Sequence, residues 1–93
     1  MIKSFKCKEI ERIFNREYSR KLPFNIQDVA FRKLRMINRS YMINDLKIPP
    51  ANRLEKLSRQ RKDLWSIRIN DQWRICFNWI ENNAENVEIV DYH

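Results

Sequence analysis

The sequence predicts a small α+β domain in which a twisted, mostly antiparallel sheet packs under two N-terminal helices. In residues 65–79, Trp, Ile and Phe occupy the odd positions on both sides of a short turn, which is the period of a half-buried β-hairpin. In residues 8–41, apolar residues instead recur every three or four positions, as on one face of a helix. The length of 93 residues predicts a single domain covering residues 1–93.

The N-terminal half is predicted to contain a short strand and two helices. Residues 2–5 alternate as in a strand, and residues 8–18 carry an apolar stripe that ends at Tyr18. The second helix is predicted to begin near Asn25, a residue typical of the N-cap, and to run to about Tyr41. Basic residues occupy the side opposite each stripe. The apolar stripes themselves must be covered by another element, and a sheet is expected to do this.

The C-terminal half is predicted to form that sheet. Residues 48–52 are expected to be extended because two prolines exclude a helix there, and residues 53–57 follow as a modest strand. The hairpin at residues 65–79 turns at residues 70–72, and a last strand is predicted at residues 87–91. The chain contains no glycine, so asparagine, which tolerates positive φ more readily than most residues, is expected at the turns.

The net charge of +7 indicates a polyanionic partner. Residues 1–47 hold twelve Lys and Arg against five Asp and Glu, whereas residues 80–93 hold none against four. RNA or an acidic protein is the expected counterpart of this basic part, and a merely solvated surface is the alternative. Because no apolar run reaches the length of a membrane span and no signal-peptide core is visible, a cytoplasmic protein without membrane association is expected.

The two cysteines do not suggest a metal site. Cys7 and Cys76 are too far apart to form a CxxC unit, and one histidine cannot complete a Cys/His zinc site with them. Both thiols are therefore expected to be buried. Neither a metal ion nor another cofactor is expected.

Strict alternation in the hairpin predicts which of its side chains face solvent. The odd positions, Trp73 among them, form the core face. The even positions then place Arg68 and Arg74 on neighbouring strands of an exposed face, where two guanidinium groups could hold an anion. This pair is the first indication of a functional site.

Three stretches resemble the HigB family of toxins from bacterial toxin-antitoxin pairs, within the larger RelE/ParE group. They are IPPANRLEKL at residues 48–57, WSIRINDQWRICF at residues 65–77 and VEIVDYH at residues 87–93. The resemblance spans nearly the whole chain and implies a RelE/ParE-like fold and a ribosome-dependent ribonuclease that cuts mRNA during translation. It also implies a helix-turn-helix antitoxin, similar to HigA, that neutralises the toxin in a hetero-oligomeric complex and binds operator DNA.

The resemblance implies four catalytic residues. The terminal Asp-Tyr-His of catalytic members falls on Asp91, Tyr92 and His93, and the arginine of the WRI motif falls on Arg74. His93 is the only imidazole, and its reference pKa of about 6.5 suits proton transfer near neutrality. Tyr92 suits hydrogen bonding or acid donation, and Arg74 suits phosphate binding. Strict alternation would turn Tyr92 away from its two neighbours, so either the strand ends at Asp91 or the triplet does not act as one unit.

The chain departs from the family before the hairpin. Where several members have a histidine and a lysine, this chain has Glu55 and Ser58, and Arg59 replaces a glycine. One basic catalytic position is therefore missing, and Arg59, Arg61 and Lys62 are candidates to replace it and to bind RNA. The remaining predicted RNA-binding residues are Arg53, Arg68 and Gln72.

Two other functions stay open at this point. Members on the ParE side of the group inhibit DNA gyrase by contact, so the chain is alternatively a non-catalytic binding toxin. It is also compatible with a plain RNA-binding domain, given its charge. Removal of the His93 imidazole distinguishes these functions, because a binding module keeps its effect without that group.

Overall fold

The computed structural model describes residues 1–57 and 63–91. Within them the chain forms two α-helices, then two short 3-10 helices, then a four-stranded sheet. The α-helices are α1 (Lys8–Phe14) and α2 (Phe24–Arg39), the 3-10 helices are Ile43–Lys47 and Pro50–Asn52, and the strands are β1 (Glu55–Lys56), β2 (Leu64–Arg68), β3 (Trp73–Ile80) and β4 (Asn83–Asp91).

The sheet is a meander in which each strand pairs with the next one along the chain. Its order is β1-β2-β3-β4, and each neighbouring pair is antiparallel. The predicted α+β class and the antiparallel sheet are therefore confirmed. The predicted hairpin turn is also confirmed, because the Oδ1 atom of Asn70 accepts hydrogen bonds from the backbone N–H groups of Gln72 and Trp73, both at 2.8 Å.

The core lies between the two helices and one face of the sheet. Ile67, Ile75 and Phe77 are fully buried there, as the alternation predicts. The three tryptophans pack against this core but are only partly buried, so the predicted packing of Trp73 on the core side is confirmed, whereas its full burial is not. The α-helices contribute six buried apolar residues, namely Ile10, Ile13, Ile26, Ala30, Leu34 and Ile37.

Helix α1 is shorter than predicted. It ends at Phe14, because the backbone of Arg16 adopts a φ of 65° and leaves the right-handed helical region. Tyr18, predicted to extend the apolar stripe, is consequently 59% exposed. Its ring instead stacks on that of Phe24, with 4.6 Å between the ring centroids.

Helix α2 begins earlier and ends earlier than predicted. Pro23 occupies the N-cap, so Asn25 lies inside the first turn and does not cap the helix. At the other end the backbone of Ser40 is extended, and its hydroxyl donates to the carbonyl of Met36 at 2.8 Å. No helix among residues 1–57 and 63–91 is long and apolar enough to cross a membrane.

The segment between α2 and the sheet differs from the extended chain predicted for residues 48–52. The Ile48–Pro49 peptide bond is cis, and residues Pro50–Asn52 form a 3-10 helix with proline in its first turn. Arg53 then adopts a left-handed conformation with a φ of 44° and ends this helix. The strand predicted for residues 53–57 is accordingly reduced to β1.

Strand β4 begins four residues before its predicted start. Glu81 and Asn82 both have positive φ, which allows a tight two-residue turn directly after β3. Asn86, also at positive φ, lies where the pairing of β3 with β4 shifts register, so a bulge divides the strand without ending it. The expectation of asparagine at turns thus holds for Asn82, and Asn86 takes a similar conformation within the strand.

The N-terminal residues line the free edge of β4. Ile2 and Phe5 form isolated parallel bridges with Ala84 and Val87, so the predicted strand at residues 2–5 is reduced to two points of pairing. The backbone N–H of Lys3 donates to the carbonyl of Ala84 at 2.7 Å. These contacts fix the start of the chain beside the last strand.

Candidate active site

The face of the sheet opposite the core carries buried polar side chains. Ser66 on β2 and Arg74 and Asn78 on β3 all belong to it. Arg74 is only 8% exposed, so the prediction of an exposed guanidinium on this face is wrong. β2 and β3 are the two inner strands of the sheet, and the backbone at Arg53 approaches closely enough to bind the buried guanidinium.

The guanidinium of Arg74 is held by several groups. Its Nε atom donates to the hydroxyl of Ser66 at 2.8 Å, and its Nη2 atom donates to the carbonyl of Arg53 at 2.7 Å. The same Nη2 atom lies 3.6 Å from the Oε2 atom of Glu55 on β1. These contacts fix the orientation of the guanidinium, a group whose directed N–H donors and permanent charge are the ones that proteins use to bind phosphate.

Glu55 and Ser66 were not assigned a role in this site from the sequence. They are paired in the β1–β2 register, which places both beside Arg74. A serine among the apolar residues of a strand was the available signal for Ser66. For Glu55 the available signal was that several members of the resembling family have a histidine at this position.

Asp91 and Gln72 are brought together at the end of β4. The Nε2 atom of Gln72 donates to the Oδ2 atom of Asp91 at 3.1 Å, which joins a predicted RNA-binding residue to a predicted catalytic one. In the register of β3 and β4, Asp91 lies opposite Trp73, whereas Val90 lies opposite Arg74. By alternation the side chain of Asp91 shares the sheet face of Trp73, and its carboxylate lies next to the hairpin turn, beside Gln72.

The two arginines of the hairpin do not form a single clamp. Arg68 is the direct cross-strand partner of Arg74, but its guanidinium is bound to Asp71 in the turn. Arg53 contributes its carbonyl to the site, while the residue itself is exposed. The other predicted site residues, Arg59, Arg61, Lys62, Tyr92 and His93, together with Ser58, lie outside the described residues.

A cleft of about 610 Å³ lies on this face of the sheet. Asn78 and Asn86 form part of it: the side-chain amide of Asn86 donates to Asn78 at 3.1 Å, and that of Asn78 donates to Asp63 at 3.1 Å. The cleft thus presents polar groups between apolar walls. Its lining residues are Lys6, Leu57, Leu64, Cys76, Asn78, Asn86, Glu88, Val90 and Asp91.

The cysteines differ in their surroundings. Cys76 is buried as expected, and burial, followed by the charge of Glu88, raises the pKa of its thiol to about 11. A thiol with this pKa is protonated near neutrality, so Cys76 is not a nucleophile in the cleft. Cys7 is exposed, contrary to the prediction, because it lies just before the first turn of α1 and does not join the core.

Comparison with known proteins identifies the family of this chain. Residues 3–93 match the family described as the RelE-like toxin of type II toxin-antitoxin system HigB. The chain belongs to this family. It is 37% identical over 87 residues to Toxin HigB-1 of Vibrio cholerae serotype O1, covering 92% of each protein. It is also 31% identical to Endoribonuclease HigB of Proteus vulgaris over 93 residues, with full coverage of both.

The fold of this HigB-like toxin also occurs among solved structures. The heterotetrameric YoeB-YefM toxin-antitoxin complex from Staphylococcus aureus contains a chain that matches all of this one, with a TM-score of 0.59 and 20% identity. A second YoeB-YefM complex from the same organism gives a TM-score of 0.55 at 19% identity. At these identities the likeness concerns the fold, and it agrees with the predicted RelE/ParE-like architecture.

Proposed function

We propose that this HigB-like toxin is an endoribonuclease that cleaves mRNA on the translating ribosome and so inhibits translation. The observation that carries the proposal is the guanidinium of Arg74, buried beside Glu55 and held by Ser66 and the Arg53 carbonyl. The name of the Proteus vulgaris relative, Endoribonuclease HigB, supports the same reaction class.

The proposed reaction uses the RNA's own 2′-hydroxyl as the nucleophile, so the protein supplies a base, an acid and positive charge. The carboxylate of Glu55 takes the 2′-hydroxyl proton while the 2′-oxygen bonds to phosphorus. Arg74 stabilises the charge on the phosphate, and His93 donates a proton to the departing 5′-oxygen as its bond to phosphorus breaks. Tyr92 and Asp91 orient these groups, and the products are a 2′,3′-cyclic phosphate and a free 5′-hydroxyl, with no metal in the scheme.

Glu55 receives the role of base because of its place in the site. It stands where the resemblance has a histidine, and its Oε2 atom is 3.6 Å from the guanidinium of Arg74. A carboxylate at that distance meets a phosphate-linked ribose when Arg74 binds the phosphate. In this scheme the Glu55 carboxylate takes the place of the histidine that several family members have at this position.

RNA binding is proposed to involve the basic residues at positions 58–62 together with the hairpin turn. Arg59, Arg61 and Lys62 supply three cations in four positions, and Gln72 contacts Asp91 at the edge of the site. Affinity for RNA is expected to fall with salt. Neutralising these three basic residues together is expected to flatten the dependence of log affinity on log salt by about 2 to 3 units.

An antitoxin is the proposed protein partner. Membership of a toxin-antitoxin family supports this, as does the likeness to a toxin solved together with its antitoxin in the Staphylococcus aureus complexes. We propose a helix-turn-helix antitoxin similar to HigA, in a hetero-oligomeric complex that contacts operator DNA through the antitoxin. The proposed place of action is the cytoplasm, where ribosomes translate mRNA.

The deciding experiment maps the ends of an mRNA after incubation of translating ribosomes with wild type, His93→Ala and Glu55→Gln. Removing a proton-transfer group is expected to slow cleavage by about 10² to 10⁴ in each variant. The new 3′ ends are expected to be 2′,3′-cyclic phosphates, and cleavage of a minimal substrate is expected to persist in EDTA. If both variants inhibited translation as strongly as wild type without producing new RNA ends, the protein would be a non-catalytic binding toxin and not a nuclease.

A further inference from the structure

Helix α2 carries a groove on its surface, here called the α2 groove, with a volume of about 480 Å³. Its lining combines apolar and cationic side chains. The apolar lining residues include Val29, Met36 and Pro49, and the cationic ones include Arg32, Lys33 and Arg39. Ile48, which is 76% exposed, precedes Pro49 in the chain and adds to the exposed apolar surface.

The positive charge of the α2 groove is not neutralised within the described part of the chain. Helix α2 has a single acidic residue, Asp28, and none among the ten residues that follow Val29. Within residues 1–57 and 63–91, Arg32 and Arg39 make no ion pair and no side-chain hydrogen bond. These two guanidinium groups are exposed and available to a partner.

Lys33 adds to this excess of charge. Its Nζ atom contacts the amide oxygen of Asn52, which is a neutral group. Burial, and then the charges of Arg68 and Arg32, lower the pKa of Lys33. A carboxylate brought into the α2 groove would relieve this repulsion between neighbouring cations.

Phe31, an aromatic residue of the groove lining, makes cation–π contacts with two arginines. The Arg35 guanidinium lies 4.1 Å from the ring centroid of Phe14 and 5.5 Å from that of Phe31. Arg16 lies 4.8 Å from the centroid of Phe31. Arginine side chains therefore already lie over the Phe31 ring, whereas the aliphatic lining residues suit aliphatic side chains of a partner.

We propose that the α2 groove binds an acidic amphipathic segment of the antitoxin. Carboxylates of that segment meet Arg32 and Arg39, and its aliphatic side chains lie on Val29 and Pro49. The inference rests on the antitoxin partner of the proposed function and names the surface that this partner uses. Arg32 and Arg39 lie on α2, whereas Arg74 lies on β3 and is held by Ser66, the Arg53 carbonyl and Glu55, so substitution of the two groove arginines removes none of these partners.

The test compares two charge-reversed proteins in their affinity for the purified antitoxin and, separately, for a short single-stranded RNA. The groove variant carries Arg32→Glu and Arg39→Glu. The control variant carries Arg20→Glu and Lys21→Glu, which change the net charge equally at exposed positions outside the groove. Circular dichroism and thermal unfolding report whether both remain folded, and Arg32→Gln with Arg39→Gln serves as the milder groove variant.

The groove variant is expected to bind the antitoxin at least about tenfold more weakly than the control variant does. The two variants are expected to lose similar affinity for RNA, because both lower the net charge by the same amount. Equal antitoxin affinity in the two folded variants would overturn the proposal. A larger loss of RNA affinity in the groove variant would also overturn it, since the groove would then be a phosphate-binding surface.

The outcome is separable from that of the nuclease assay. If wild-type protein bound the antitoxin but left mRNA intact, the proposed reaction would be wrong. The comparison of groove and control variants could still be interpreted. Wild-type protein that does not bind the antitoxin would overturn the partner and the α2 groove proposal together, while cleavage of mRNA would still be measured on its own.

Discussion

Arg68 and Arg74 are direct partners across the β2–β3 hairpin, yet their guanidinium groups lie in different environments. That of Arg74 is buried and bound to Ser66 and to the carbonyl of Arg53. That of Arg68 is bound to Asp71 in the turn. Equivalent substitutions at Arg68 and Arg74 therefore show what a buried, fixed guanidinium contributes to stability and cleavage.

We expect Arg74→Lys to reduce both stability and cleavage, and Arg68→Lys to change each of them less. Lysine keeps the charge of Arg74 but cannot reproduce donors directed at both Ser66 and the Arg53 carbonyl. Loss of such hydrogen bonds from a charged group is expected to cost about 1.5 to 3 kcal/mol in the free energy of unfolding. Urea unfolding and RNA cleavage measure the two effects, and equal behaviour of the two variants would contradict a special role for Arg74.

The core makes a different prediction for two aromatic residues of β3. Phe77 is fully buried, so Phe77→Ala is expected to lower the free energy of unfolding by about 3 to 5 kcal/mol. Trp73 is larger but only partly buried, so Trp73→Ala is expected to cost less. Urea unfolding of both variants compares them directly. A greater loss at Trp73 would mean that the border of the core is more tightly packed than its exposure indicates.

Alkylation should distinguish the two thiols. With a pKa of about 11, about one Cys76 thiol in a thousand is ionised at about pH 8, and the side chain is also buried. Iodoacetamide is therefore expected to modify the exposed Cys7 at least about a hundredfold faster, as followed by mass spectrometry. Protein unfolded in guanidinium is the control, because there Cys76 should react readily. Rapid reaction of Cys76 in the folded protein would contradict its burial.

Asp45 provides a prediction about pH. Its Oδ2 atom accepts hydrogen bonds from the backbone N–H groups of Met42 at 3.0 Å and Tyr41 at 2.9 Å, and these lower the pKa of Asp45 from its ordinary value of 3.8. A group whose pKa is lower in the folded state stabilises the fold above its unfolded pKa, and this contribution is lost as pH falls through the folded pKa.

Asp45→Ala is therefore expected to lower the melting temperature at about pH 7 and to have a smaller effect at about pH 2. Thermal unfolding of wild type and variant across this range gives the comparison. The similarly exposed Asp28→Ala serves as a control, because Asp28 makes no side-chain hydrogen bond among the described residues. A melting temperature of Asp45→Ala that lies below that of wild type by the same amount at every pH would contradict the proposed contribution of the carboxylate.

The sequence was most informative where side chains alternate with a clear period. The buried face of the hairpin was predicted correctly at Ile67, Ile75 and Phe77, because apolar residues there occupy every second position. The ends of elements were predicted less well, since they depend on single backbone conformations. Arg16, for example, adopts a positive φ just after Phe14, so α1 ends four residues before its predicted end at residue 18, and nothing in the Arg16 side chain indicates this.

The candidate site was predictable in its residue types but not in its arrangement. Arg74 was found from the sequence, whereas its burial depends on the carbonyl of Arg53, which lies 21 positions earlier in the chain. Alternation alone assigned Arg74 to solvent, because it describes one face of the sheet and not what covers the other. Glu55 was recognised only as a departure from the family, and its proximity to Arg74 required the register of β1 with β2.

The pairing of Ile2 and Phe5 with β4 also bears on self-association of the chain. A long strand with an open edge offers unpaired N–H and carbonyl groups to a strand of another molecule. β4, at nine residues, is the longest strand, and the N-terminal segment occupies the side of it that β3 leaves free. A fusion or substitution that displaced this segment would convert β4 into a template for intermolecular sheet growth, so the N-terminal residues protect the protein against aggregation.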